Sequence, residues 1–251
     1  MNEKTVLITG ASSGIGLACA KKLNNANKLI LCSRDISKLD KIKSELGGKD
    51  NIHVYKVDVR NESEVAEMFN SLNRLGIYPD ILINSAGLAL GLDTLEESKT
   101  SDWDQMIDTN IKGLLFVSQL ALKGMKERNR GHIINMGSIA GISSYSKGIV
   151  YAATKAAVKS ISDGLRKEIA ENNIRITNIQ PGLVQTNFGL IRFKGDKDKA
   201  NAAYEGIEPL SSDDIADIIK YVIDLPERIQ INEITVTPLH QATVEVIHRN
   251  L

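Results

Sequence analysis

A hydroxyl, a phenol and an ammonium stand within one short stretch of this chain, as Ser138, Tyr151 and Lys155. His132-Ile133-Ile134-Asn135-Met136 reads as a buried strand, which sets Ser138 just past a strand's C-terminal end. From Val150 onward, with Ala152, Ala153, Ala156, Ala157 and Val158, the pattern is that of a helix. Tyr151 and Lys155 then fall at i and i+4, on one face and one turn apart. A phenol titrates at about 10 and is a poor acid or base at neutral pH. A cation held beside it favours the phenolate, and proton transfer to a carbonyl or from an alcohol becomes feasible. The chemistry these three types imply is proton transfer at a substrate oxygen. Tyr-x-x-x-Lys alone is a weak motif that also occurs on solvated helix faces, so its weight depends on what the rest of the chain places around it.

The N-terminal region supplies a nucleotide site. Thr5-Val6-Leu7-Ile8-Thr9 reads as a strand, Gly10-Ala11-Ser12-Ser13-Gly14-Ile15-Gly16 as a glycine-rich turn, and Leu17, Ala20 and Leu23 mark a helix. Glycine lets the backbone approach a pyrophosphate, and a helix N-terminus presents free N–H groups to the anion. The spacing is Gly-x-x-x-Gly-x-Gly, and its place directly after the first strand favours dinucleotide binding over a turn without a ligand. The next strand, Lys28 to Arg34, ends at Ser33 and Arg34, where an acidic residue would select NAD. A hydroxyl and a forked guanidinium suit a 2′-phosphate instead, and so NADP. Asp35 is read as the cap of the following helix.

Further strand runs lie at His53–Val57, ending at Asp58, at Ile81–Ile83, running into Asn84-Ser85-Ala86-Gly87, at Ile174–Ile179, ending at Pro181-Gly182, and at Glu233–Val236. Helical patterns separate them: Val65, Met68, Phe69 and Leu72; a long stretch from near Ser101 through Asn110 to Leu115; and a last helix opened by Ser211 or Ser212. Apolar strands alternating with helices predict one α/β domain, a Rossmann-type doubly wound parallel sheet of about seven strands with helices on both faces. The segment 183–205 is polar, Lys- and Asp-rich and poorly periodic, and reads as a substrate lid.

Composition excludes several classes. Thirty-one basic residues balance 31 acidic ones, so no charge excess favours nucleic acid or an anionic membrane. No apolar run is long enough to span a bilayer, and the N-terminus shows no signal-peptide pattern. The two isolated cysteines, Cys19 and Cys32, suit small buried residues in a reducing, cytoplasmic setting. His53, His132, His240 and His248 fit no metal-ligand spacing, so no metal is expected.

Taken together, Thr9-Gly10-x-x-x-Gly14-x-Gly16, Asp58, Asn84-Ser85-Ala86-Gly87, Asn110, Ser138, Tyr151-x-x-x-Lys155 and Pro181-Gly182 followed by Thr186 resemble the short-chain dehydrogenase/reductase family along essentially the whole chain. Within it, the stretch Asn84 to Ser98 and Leu190-Ile191-Arg192-Phe193-Lys194-Gly195-Asp196 look most like the NADP-dependent 3-hydroxy acid (serine/allo-threonine) dehydrogenases. The resemblance implies that Gly10, Gly14 and Gly16 hold the pyrophosphate, Asp58 accepts from the adenine amine, and Asn84 lines the adenine ribose side. It implies Tyr151 as general acid/base, Ser138 as a donor to the substrate oxygen, and Lys155 on the nicotinamide ribose, lowering the tyrosine's pKa. Asn110 would hold a water in a proton relay and Thr186 the carboxamide. Ser12, Ser13, Ile15, Ser33, Arg34, Val59, Ala86, Gly87, Tyr151, Pro181, Gly182 and Val184 would complete the cofactor contacts. A homotetramer built on the helices around Asn110 and after Tyr151 is implied too, with Ala153, Ala156 and Ala157 as a close-packing face or as intramolecular core. A small hydroxy acid needs its carboxylate neutralised. Arg192 is the preferred cation, with Lys194 and Lys147 as alternatives, and the lid is expected to close over the bound substrate.

Overall fold

The computed structural model describes residues 3–48 and 50–250; Met1 and Asn2, on which the reading of the N-terminus rests, lie outside the described residues. Seven strands alternate with helices: β1 (Lys4–Thr9), α1 (Gly14–Leu23), β2 (Asn27–Ser33), α2 (Ile36–Glu45), β3 (Ile52–Lys56), α3 (Glu62–Arg74), β4 (Ile81–Asn84), α4 (Thr100–Ile107), α5 (Leu114–Glu127), β5 (Gly131–Met136), α6 (Ile149–Glu168), β6 (Ile174–Pro181), α7 (Phe188–Arg192), α8 (Lys197–Ala202), α9 (Ser212–Asp224) and β7 (Glu233–Val236). All pairings are parallel, in the order β3-β2-β1-β4-β5-β6-β7.

The strand sequences explain the two layers. Side chains alternate across a strand. Val6, Ile8, Leu29, Leu31, Ile81 and Ile83 therefore face one layer, against α1, α2 and α9. Leu7, Ile30, Leu82, Ile133 and Ile176 face the other, against α3 and α5. Both faces are covered, which is why these runs are apolar throughout rather than alternating. Successive strands step outward from β1 to β3 on one side and from β4 to β7 on the other. The reversal between β1 and β4 opens a crevice at their C-terminal ends, where α/β sheets bind ligands.

Local chemistry sets the helix starts. The Asp35 carboxylate accepts from the Lys38 N–H at 3.1 Å, as the sequence predicts for a cap. Ser211 and Asp214 form a reciprocal capping box on α9.

Three features differ from the sequence reading. The long helix near Asn110 is interrupted by a π-helical turn, Asp108–Gly113, a feature found most often at functional sites. The segment 183–205 is not irregular, since it holds α7 and α8; these helices are too short for a periodic signal to emerge. Beyond β7, residues 237–250 fold back over that segment. Gln241 Oε1 accepts from Leu183 N at 2.8 Å, and Asn250 N donates to the Gly206 carbonyl at 2.8 Å. On α6, Ala152 and Val158 are core, whereas Ala153 and Ala156 face outward, so the alanine-rich face is not intramolecular core. No helix among the described residues is long and apolar enough to cross a membrane.

Candidate active site

The crevice is shaped by glycine and by one threonine. Gly10 has φ +66°, and a Cβ there would stand 2.9 Å from Ala86 Cα, so only glycine lets β1's exit lie against the turn after β4. The Thr9 hydroxyl fastens that turn, accepting from Ser85 N at 3.1 Å and Ala86 N at 3.0 Å. A Cβ on Gly16 would stand 2.5 Å from the Gly10 carbonyl oxygen. Gly16 thus seats α1 closely on the turn that forms the end of the groove. Ser13 caps α1 without a side-chain hydrogen bond, leaving the first N–H groups of the helix to the groove.

The groove has a volume of about 570 Å³, and Gly10, Ser12, Ser13, Gly14, Ile15, Ser33, Arg34, Asp58, Val59, Ala86, Gly87 and Thr186 line it. Lys38 and Arg60 line it too, and the sequence reading missed both. Lys38 lies one turn beyond the Asp35 cap, the one hint that it sits beside Arg34. Uncapped N–H groups, a close glycine turn and the cations Arg34 and Lys38 fit a phosphorylated dinucleotide. The Asp58 carboxylate is gripped by Arg60, whose Nη2 stands 2.6 Å and Nε 3.0 Å away, and this contact holds its carboxyl below the usual range. Asn84 is buried under the crevice, where its Nδ2 donates to Ser118 Oγ and Asn135 Oδ1 at 2.9 Å each and ties β4 to β5 and α5. Pro181, Gly182 and Val184 line the neighbouring cavity and not the groove.

That second cavity, about 420 Å³, adjoins the groove through Ile15, Ser85, Gly87, Thr186 and Phe188. Ser138, Tyr151, Lys155 and Arg192 share its wall, so the structure brings the four together. Ser138 follows β5, where its Oγ accepts from Ala140 N at 3.1 Å. Tyr151 packs edge-on against Phe188, with centroids 5.5 Å apart. Lys155 Nζ donates to the Met136 carbonyl at 2.7 Å and lies 5.8 Å from the Tyr151 ring centroid. Asn110 sits in the π-helical turn, donating to the Leu88 carbonyl at 2.8 Å and Thr154 Oγ1 at 3.0 Å while accepting from Leu88 N at 2.9 Å. Its amide hydrogens are fully engaged, so it fixes the turn after β4 against α6.

Electrostatics departs from the simple lysine–tyrosine picture. Desolvation pushes the Tyr151 phenol well above its ordinary value; the neighbouring Tyr145 raises it further, while Ser138 and Arg192 pull it back. Desolvation lowers Lys155 to about 8. Charging Lys155 therefore costs folding free energy. The cost is full below about pH 8 and fades as the pH rises toward the unfolded-chain lysine value of about 10.4. Calorimetry of Lys155→Met between pH 7 and pH 10 should show its unfolding midpoint, relative to wild type, highest at the low end and falling as pH rises. A constant difference would show that Lys155 is not desolvated.

The three candidate cations separate cleanly. Arg192, the last residue of α7, lies with its guanidinium carbon 5.4 Å from the Tyr145 ring centroid and 6.0 Å from that of Tyr151. Its Nε donates to the Gly91 carbonyl at 2.9 Å and its Nη2 to the Tyr145 hydroxyl at 2.7 Å. Lys194 is paired with Asp102 instead, and Lys147 lines a smaller hollow beyond Arg192. Tyr145 and the C-terminal residues Gln241, Val244, Glu245, Ile247 and Arg249 also line the cavity, none of them foreseen. The Glu245 carboxylate accepts from Ser146 N at 3.1 Å, linking the chain's end to the loop before Tyr151.

A dinucleotide-shaped groove opening onto a Ser–Tyr–Lys cavity defines a nicotinamide-dependent oxidoreductase, and a match to the short chain dehydrogenase family spans residues 4–193. The chain belongs to that family and is an oxidoreductase acting on CH–OH groups. It is 42% identical over 248 residues to the NADP-dependent 3-hydroxy acid dehydrogenase YdfG of Salmonella typhi, covering 98% of this chain and 99% of that one. The NADP-dependent 3-hydroxy acid dehydrogenase of Schizosaccharomyces pombe is 39% identical over 253 residues, covering 99% and 98%. Among solved structures, a closed form of serine dehydrogenase complexed with NADP+ superimposes with a TM-score of 0.93 at 40% identity, covering 98% of this chain and 100% of that one.

Proposed function

We propose that this chain interconverts a small 3-hydroxy acid, of the serine, allo-threonine or 3-hydroxypropionate type, and its 3-oxo acid, with Tyr151 as the general acid/base. NADP(H) is the cofactor and, when bound, accepts or supplies the hydride. The observation that carries the substrate reading is Arg192, a guanidinium set between the Tyr145 and Tyr151 rings in the cavity that also holds Ser138. A carboxylate gripped there leaves the adjoining hydroxyl carbon near Tyr151. In oxidation Tyr151 takes the hydroxyl proton while Ser138 hydrogen-bonds the same oxygen; in reduction the proton returns. Leu183, Val184, Phe188 and Phe193 line the same cavity and make its walls largely apolar.

Those same apolar walls favour a second reading, a broad carbonyl, ketoacyl or steroid-type reductase. A non-catalytic NADP sensor is disfavoured by the intact Ser138, Tyr151 and Lys155 set. Assay of hydroxy acids beside the matching alcohols, each with NADP+ and NAD+, separates the readings. Turnover confined to hydroxy acids supports the proposal, and equal turnover of both overturns it.

Cofactor selection gives a further expected result. Arg34 is exposed at the groove beside Lys38. Arg34→Ala should weaken NADP+ by about 1.5–3 kcal/mol, the worth of a charge-assisted contact, and leave NAD+ almost unchanged. Titration calorimetry with both nucleotides reads this directly, and equal weakening removes Arg34 from the 2′-phosphate site. The outward Ala153 and Ala156 face of α6 is the surface on which the proposed homotetramer would pack.

A further inference from the structure

Three contacts fix where Arg192 stands, two to Gly91 and one to Tyr145. Gly91 N donates to the Arg192 carbonyl at 3.0 Å, and Arg192 Nε donates back to the Gly91 carbonyl at 2.9 Å. The Tyr145 hydroxyl holds the far end of the guanidinium. Two residues on, the chain turns sharply. Lys194 has φ +53°, a region uncommon outside glycine, and Gly195 follows at φ +96°. That turn sends Lys194 back to α4, where its Nζ stands 3.0 and 2.7 Å from the two carboxylate oxygens of Asp102.

Asp102 is 6% exposed. An acid in the first turn of a helix is stabilised by the helix dipole alone. The Asp102 carboxylate, however, makes its only side-chain hydrogen bonds among the described residues with Lys194, from an element 92 residues away in sequence. A buried carboxylate needs that partner, because an unpaired charge out of water is strongly disfavoured. The pair therefore pins the residues just after α7 to α4, two residues beyond Arg192. We propose that Asp102 is a positioning residue for substrate binding: through Lys194 it fixes the end of α7 and so holds Arg192 where a substrate carboxylate meets it. The inference rests on Arg192 being the carboxylate-binding group and deepens that reading.

The test uses Asp102→Asn, Lys194→Met and the double variant. Lys194 is half exposed in its side chain, so its replacement serves if Asp102→Asn fails to fold. Each single variant should raise KM for the hydroxy acid several-fold. The dissociation constant for NADP+ and KM for an alcohol lacking the carboxylate should stay at wild-type values. The double variant should be no worse than the worse single one, because the two residues act as a unit. Asp102→Glu, which keeps the charge, should recover most of the wild-type KM. Amide hydrogen exchange over residues 188–196 should quicken in Asp102→Asn, a readout that does not depend on substrate. Equal shifts in KM for hydroxy acid and alcohol, or unchanged exchange in that segment, overturn the proposal. If Arg192→Ala leaves the preference for hydroxy acids intact, the substrate reading fails by itself; quicker exchange in Asp102→Asn would then still uphold the anchoring of α7.

Discussion

Tyr151→Phe is expected to lower kcat by about 10³-fold, within the range assigned to a positioned general acid/base, while the dissociation constant for NADP+ stays near the wild-type value. The substitution removes one oxygen and keeps the ring, so the edge-on packing against Phe188 at 5.5 Å survives and the fold is not the cause of the loss. Tyr151 lines the cavity with Ser138, and the hydroxyl that is lost serves the substrate oxygen in the proposed reaction, so nucleotide binding should be spared. Desolvation holds the phenol protonated in the protein's own field. That suits it to give a proton to a carbonyl and makes the oxidation direction more dependent on alkaline pH. Initial rates followed by reduced-nicotinamide absorbance, with nucleotide binding measured in parallel, decide the matter. A variant keeping most of its kcat would move the acid/base role away from Tyr151.

Arg192→Ala should separate hydroxy acids from plain alcohols. Losing a charge-assisted contact worth about 1.5–3 kcal/mol raises KM for the hydroxy acid by roughly one to two orders of magnitude. An alcohol without the carboxylate loses almost nothing. The same substitution has a second, independent signature. Arg192 is one of the two groups pulling the Tyr151 phenol down, so without it the phenol rises further. The pH dependence of alcohol oxidation should then shift to higher pH in Arg192→Ala, even for the substrate whose KM is unchanged. Unaltered discrimination between hydroxy acid and alcohol would take Arg192 out of the site and favour the broad carbonyl-reductase reading.

The sheet and the nucleotide groove were legible because their causes are local. Apolar runs such as Val6-Leu7-Ile8 and Ile81-Leu82-Ile83 declare doubly buried strands by themselves. Gly10, Gly14 and Gly16 report a strand-to-helix turn within seven residues of chain, and Tyr151 and Lys155 meet because a helix repeats every 3.6 residues. What the sequence could not rank was the set of cations near the substrate. Arg192 and Lys194 are two residues apart and chemically alike, yet one faces Tyr151 and the other Asp102. The difference arises in a left-handed turn at Lys194 and in contacts to Gly91 and Asp102, 101 and 92 residues away. The partners of Asn84 were hidden for the same reason: Ser118 and Asn135, which accept from its Nδ2, are brought in by other elements. Tyr145 and the returning C-terminal segment were invisible because a contact such as Ser146 with Glu245 spans 99 residues and leaves no periodic trace. Local hydrophobic period and turn chemistry determine which elements form and where the cofactor lies; long-range packing alone decides which polar side chains turn inward to meet the substrate.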